Sequence, residues 1–268
     1  MTELTQDPEQ VNRLAASVFN NESSTQIDTD MPTVNEVFLP AGLISKEGSL
    51  HKLAQIRELN GLDEEALAKA SSPTRALYTA FTRGLVSIGD KKPTDAELDS
   101  LLTGDREAIL LGIRIATFGP EASYVVYCSG CDTQKSIVID LDKDIETKNL
   151  EDPLNDRSFG VNTKAGEVIV TFPNGLTQKK LFDSENKTTA EIITEILAGC
   201  VASIDGEPSL GRSTALSLGM ADRETIVSKI YELSPGPRLG EVKKACEACD
   251  TEIELSLGLA DLFRLQAF

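Results

Sequence analysis

Two CxxC pairs, Cys128–Cys131 and Cys246–Cys249, stand at matching places in a chain that repeats itself. The first lies in CSGCDTQKSIVIDL (128–141) and the second in CEACDTEIELSLGL (246–259). A closed tetrahedral metal site takes four protein ligands, and one CxxC turn supplies two. An isolated hairpin is also marginal in water. Two distant ribbons brought together on one cation meet both requirements, so the two halves of the chain are expected to meet; the rival arrangement is two separate sites, each shared between the chains of a dimer.

The repeat extends upstream. Segment 82–113 (TRGLVSIGDKKPTDAELDSLLTGDREAILLGI) matches 197–230 (LAGCVASIDGEPSLGRSTALSLGMADRETIVSKI). Each has a small-residue helix, a Ser-Ile turn, a connector and an Asp-Arg-Glu triplet opening an apolar helix. The triplets are Asp105-Arg106-Glu107 and Asp222-Arg223-Glu224. VFLPAG (37–42) is paired with VTFPNG (170–175). The expected organisation is a flexible polar arm at 1–33, a first unit at 34–144 and a second at 145–268. The expected fold is α+β: two pseudo-symmetric helical units whose β-ribbons join at a four-cysteine zinc knuckle pair.

Zinc suits four thiolates, with Zn–S bonds of about 2.3 Å. The expected cofactor is one structural Zn2+ per chain, held by Cys128, Cys131, Cys246 and Cys249. A redox dithiol and an iron–sulfur centre are the competing readings. A redox CxxC usually opens a helix, whereas CSGC runs on into the strand-like IVIDL. Asp132-Thr133 and Asp250-Thr251 follow the knuckles and are suited to capping turn amides. Lys135 and Lys243 lie close enough in sequence to offset thiolate charge. Cys200, where the other repeat has Gly84, reads as a buried, inert thiol.

Segment 34–42 reads as a strand. Leu53, Ile56, Leu59 and Leu62 recur at three-residue spacing, which predicts a helix from His51 with a break near Gly61. A helix over 73–89 with Pro73 in its first turn follows. Thr94 and Glu97 form a capping box for a short helix to Leu102. Asp105 is expected to cap the next helix, which buries Ile109, Leu110, Ile113 and Phe118, while Arg106 makes a salt bridge. Strands are expected at 124–127, 137–141 and 167–172, and a loop at 142–160. Helices follow from Thr188 or Thr189 to about Ser203 and from Asp222 to Leu233, with a short helix or coil at 259–268.

Composition excludes several functions. There are 43 acidic and 26 basic side chains, a formal net charge of −17, so the surface repels nucleic acid and anionic lipid. With no tryptophan, no obvious stacking platform for single strands is present. No secretory signal or 18-residue apolar run is apparent, which points to a reducing compartment and to metal over disulfide. His51 is the sole histidine, and no nucleophile–base set, Rossmann fingerprint or P-loop is found. No catalytic residue and no small-molecule substrate is expected.

Segment 98–141 resembles the baseplate hub and hub-assembly proteins of T-even-like tailed bacteriophages. The likeness is carried by Asp105-Arg106, the apolar helix after it, Phe118-Gly119 where the family has Tyr-Gly, and Cys128 and Cys131. IRELNGLDEEALAKA (56–70) is similar to the family's opening segment, and VTFPNGLTQKK (170–180) to its central hairpin. The resemblance covers roughly residues 34–260. It implies a non-enzymatic part or assembly factor of the hub at the tip of a phage tail. Partners would be other tail or baseplate proteins, tape-measure and hub proteins among them. The place would be the virion tail, or the host cytoplasm during assembly. The alternative is a zinc-stabilised protein–protein adaptor unrelated to virion assembly.

Overall fold

The computed structural model describes residues 35–181 and 187–263. The polar arm lies outside them, as do the last five residues of the predicted terminal helix or coil. Strands β1 (Asn35–Ile44) and β2 (Leu50–Ile56) form an antiparallel hairpin, followed by helices α1 (Gly61–Ala68) and α2 (Pro73–Gly84) and strand β3 (Leu85–Ile88). The three strands make one sheet in the order β1–β2–β3. Helices α3 (Asp95–Ser100) and α4 (Thr103–Phe118) follow, then a two-stranded ribbon of β4 (Glu121–Cys128) and β5 (Thr133–Asp140).

The second half opens on a short strand β6 (Thr147–Lys148) and a hairpin of β7 (Ser158–Thr163) and β8 (Gly166–Thr171). Helices α5 (Gly175–Lys179) and α6 (Thr189–Cys200) come next, then β9 (Val201–Ile204) and β10 (Glu207–Pro208). These strands make a sheet in the order β10–β9–β8–β7. Helices α7 (Arg212–Ser217) and α8 (Met220–Leu233) lead to β11 (Gly236–Pro237), which pairs with β6. A 3-10 turn, a ribbon of β12 (Val242–Ala245) and β13 (Glu252–Leu255), and helix α9 (Leu259–Leu262) end the described chain. The fold is α+β.

Residues 50–56 form a strand, correcting the helix expected from His51. Ala54 and Ile56 are buried and Leu53 is exposed, the two-residue alternation of a half-buried strand. His51 therefore sits in β2. The capping boxes are as expected at Thr94–Glu97, and Thr188 pairs with Glu191 in the same way. Phe118 is exposed at the end of α4, with the Arg114 guanidinium over its ring, and is not part of the buried face. Residues 142–160 hold β6 and the start of β7, so they are not loop throughout.

The pairing of 37–42 with 170–175 is also corrected. VFLPAG lies within β1, whereas VTFPNG runs from β8 into α5. The element expected as a hairpin at Pro173–Gly175 is therefore a strand followed by a helix. Asn174 caps α5, and Asn60 caps α1 soon after β2. The sequence Asn-Gly-Leu at 60–62 and 174–176 is thus the local match between the two hairpin-to-helix junctions.

Three larger apolar clusters and a smaller one around Ala41, Leu102, Leu150 and Phe172 organise the described residues. One lies under the first sheet and includes Leu39, Ile56, Phe81, Ile109 and Ile113. Another lies under the second and includes Val168, Val170, Leu197, Cys200 and Ile226. The third draws on both ribbons: Ile139 and Leu141 from one side, Val242, Ile253 and Leu255 from the other. Burial at this scale stabilises by roughly 25 cal/mol per Å2 of apolar surface removed from water. Gly104 seats α4 against β11, because a Cβ there would overlap the carbonyl oxygen of Pro235. No helix among the described residues is long and apolar enough to cross a membrane.

Candidate metal centre

The first ribbon is paired along its whole length, from Glu121↔Asp140 to Cys128↔Thr133. Its free end is therefore the turn that carries Cys128 and Cys131. The second ribbon pairs from Val242↔Leu255 to Ala245↔Glu252, and its turn carries Cys246 and Cys249. That turn is closed by Cys246 N donating to Thr251 O (2.9 Å) and Asp250 N donating to Cys246 O (2.8 Å).

The four Sγ atoms lie within 4.8 Å of one another. Cys128 Sγ is 3.5 Å from Cys249 Sγ, and Cys131 Sγ is 3.8 Å from Cys246 Sγ. These two contacts cross between the turns, the first cysteine of each meeting the second of the other. A tetrahedron with metal–sulfur bonds of ~2.3 Å has edges of about 3.8 Å. A disulfide would need ~2.05 Å, and all four thiols are free. Cys128 and Cys246 are buried, Cys131 is half-buried and Cys249 is exposed. The cluster is able to coordinate a metal ion.

Both turns use the same device. Asp132 and Asp250, each directly after the second cysteine, take left-handed backbone conformations with φ of 56° and 54°. Aspartate tolerates this region better than most side chains. This conformation is what the two aspartates bring to the turns. The threonines after them touch sulfur: Thr133 Oγ1 lies 3.4 Å from Cys131 Sγ, and Cys249 Sγ lies 3.3 Å from Thr251 Oγ1. The Thr251 hydroxyl is the largest of the effects that hold the Cys249 thiol down to about 6; its backbone and the Cys128 and Cys246 thiols add to it. The repeated Cys-Asp-Thr was the signal for these sulfur contacts in the sequence.

Gly130, one of the small residues between the first pair of cysteines, contributes to the site through its lack of a side chain. A Cβ there would fall on Thr251 Oγ1 and come within 2.9 Å of Cys249 Sγ. Only a residue without a side chain lets the second turn approach. Lys243 is committed elsewhere, bonded to Glu252 (2.8 Å) and Glu254 (3.1 Å) on its own ribbon. Cys200 ends α6 in the second core, where burial pushes its thiol up to about 12, as befits an inert packing group.

The Asp-Arg-Glu triplets are positioned differently from expectation. Asp105 is fully buried inside α4 and accepts from Ala41 N (2.7 Å) and Gly42 N (3.1 Å). Asp222 accepts from Lys164 N (3.0 Å) in the other hairpin. Both aspartates therefore tie a helix to a hairpin and do not cap the helix. Arg106 donates to Leu98 O (2.9 Å) and Gln178 Oε1 (2.7 Å), with the Phe81 ring 4.4 Å away. Burial lowers it to about 10. Its acceptors are neutral, in place of the expected carboxylate. Arg223 likewise donates to Ala215 O (2.7 Å) and Thr194 Oγ1 (2.8 Å).

Compared with known families, the chain matches one described as T4 bacteriophage base plate protein over residues 55–207, more than half its length. The match takes in Cys128 and Cys131 and ends before Cys246. No curated protein and no solved structure matches.

Proposed function

The chain belongs to the T4 bacteriophage base plate protein family, and from that premise we propose that it is a non-enzymatic component or assembly factor of a phage tail baseplate hub. Its partners are other tail or baseplate proteins, hub and tape-measure proteins among them. It acts in the virion tail, or in the host cytoplasm while tails are built. The family match is the observation that carries this reading. The test is deletion of its gene from a phage genome that encodes it. Tails lacking complete baseplates in electron micrographs are expected, and normal infectious tails would overturn the proposal.

Within that role we infer one structural zinc ion per chain, held by Cys128, Cys131, Cys246 and Cys249. The convergence of four thiols within 4.8 Å supports it. Four thiolates fill a tetrahedron and leave no open position for substrate, so the metal is structural. Residues 34–144 and 145–268 are two copies of one unit, related by a pseudo-twofold through the cation. The crossed sulfur contacts and the matched Asp105/Asp222 and Arg106/Arg223 bonding support this. Elemental analysis of the Cys128→Ser/Cys131→Ser and Cys246→Ser/Cys249→Ser double variants tests it. Both should lose all zinc, and both should unfold at lower temperature. Half the zinc retained in each, on a dimeric chain, would refute the intrachain bridge.

A further inference from the structure

The third member of the repeated triplet behaves differently in the two halves. Asp105 and Asp222 do matching work, as do Arg106 and Arg223. Glu224 is simply exposed. Glu107 instead lines a cavity of about 550 Å3 between α4, α6, α8 and the segment entering α9. That volume is in the range of ligand pockets, ~300–1,000 Å3. Ile196, Val227, Ile230 and Leu257 form much of its wall.

Glu107 is half-buried on the cavity wall, and no hydrogen bond to its carboxylate is found among the described residues. Ser234 Oγ, on a neighbouring lining residue, is buried without a hydrogen-bond partner. The cation that acts on Glu107 is Arg238, whose guanidinium donates to the end of α8, at Tyr231 O (2.8 Å), Glu232 O (2.9 Å) and Ser234 O (3.0 Å). A half-buried carboxylate beside apolar walls attracts a cation more strongly than one in open water, because the local dielectric is lower. The occupant that fits such a site combines an apolar stem with a positive head. The formal charge of −17 favours the approach of cations over anions.

We propose that this cavity docks a lysine side chain carried on an apolar segment of a partner protein, with Glu107 receiving the ammonium group. The assignment of the lysine to another protein rests on the assembly role; the chemistry of the cavity does not. Burial already pushes the Glu107 carboxyl up to about 7, with Arg238 pulling the other way, so the group is poised to ionise when a cation arrives.

The experiment uses the full zinc-loaded chain and three fluorescein-labelled, amidated pentapeptides. Their sequence is Leu-Leu-X-Leu-Leu, with X lysine, norleucine or glutamate. Fluorescence anisotropy should show the lysine peptide binding at least tenfold more tightly than the norleucine peptide, with the glutamate peptide weakest. In Glu107→Gln the lysine and norleucine peptides should bind alike, at the norleucine level, with zinc content unchanged. Equal binding of these two peptides to the unaltered chain would overturn the proposal. So would a lysine preference that survives Glu107→Gln, or no binding of any peptide. Normal tails after gene deletion would remove the baseplate reading and leave this result standing, so the two failures are distinguishable.

Discussion

Asp105 and Arg157 hold the same two residues, Ala41 and Gly42, one by their amides and the other by their carbonyls. Asp105 Oδ1 accepts from the amides of Ala41 and Gly42, and Arg157 Nη2 donates to their carbonyls at 3.1 and 2.6 Å. A helix and a loop from beyond the first ribbon thereby hold one stretch of β1, where its pairing with β2 shifts register between Phe38 and Leu43.

Asp105→Ala removes the acceptor for two buried amides. Each unsatisfied buried group costs about 1–3 kcal/mol, so the variant should lose about 3 kcal/mol in urea unfolding. Asp105→Asn keeps an acceptor oxygen and should lose less than half as much. Equal losses for the two would show that charge, not hydrogen bonding, holds the strand.

Asp63 carries an acid-dependent share of stability. It is buried in the first turn of α1 and bonded by Arg57 (2.6 Å) and Arg83 (3.0 Å). The Arg57 hydrogen bond is the largest cause of its fall to about 2. A carboxylate depressed on folding stabilises above its unfolded value near 3.8, and that stability is lost as pH falls through about 2. A shift of this size is worth about 2 kcal/mol. Unfolding measured from pH 5 to pH 2 should fall more steeply in the parent chain than in Asp63→Asn, and parallel curves would count against the assignment.

Glu107 has the opposite sign. A carboxyl raised to about 7 on folding makes the native state bind protons more readily, so its contribution is full below about 4.5 and lost as pH rises through 7. Glu107→Gln should gain stability relative to the parent between pH 5 and pH 8, by at most about 3 kcal/mol. No change in the difference across that range would place the carboxylate in water.

Gly130→Ala should weaken binding of the proposed zinc without replacing a ligand. The new methyl group collides with Thr251 and crowds Cys249, so the turns must move apart. Competition with a chromophoric chelator should show at least a tenfold loss of affinity. An unchanged affinity would mean that the turns have slack.

The cysteine cluster was legible because its chemistry depends on residue type and spacing, both visible in one dimension. The capping box at Thr94 was legible for the same reason, since partner and cap are three residues apart, whereas at the later helix the sequence left Thr188 and Thr189 both open as the cap and the structure shows a box at Thr188. Segment 50–56 was not. Leu53, Ile56 and Leu59 offer a helical spacing, but Ala54 and Ile56 alternate as a strand, and pairing with β1 and β3 decides between them. Asp105 was misplaced for a similar reason. Its partners, Ala41 and Gly42, are more than sixty positions away, while an aspartate before a helix always offers the local alternative of a cap.

The crossed thiol pairs also set a clock. Cys128 and Cys249 are 121 residues apart, so at roughly 5–20 residues per second the ribosome takes about 6–24 s to deliver the last ligand after the first. During that interval the first ribbon has left the ribosome with two unsatisfied sulfurs and half a coordination shell. Whatever metal or oxidant it meets then competes with the proper partner; with zinc as the ion, as proposed above, its supply during synthesis would bear on yield.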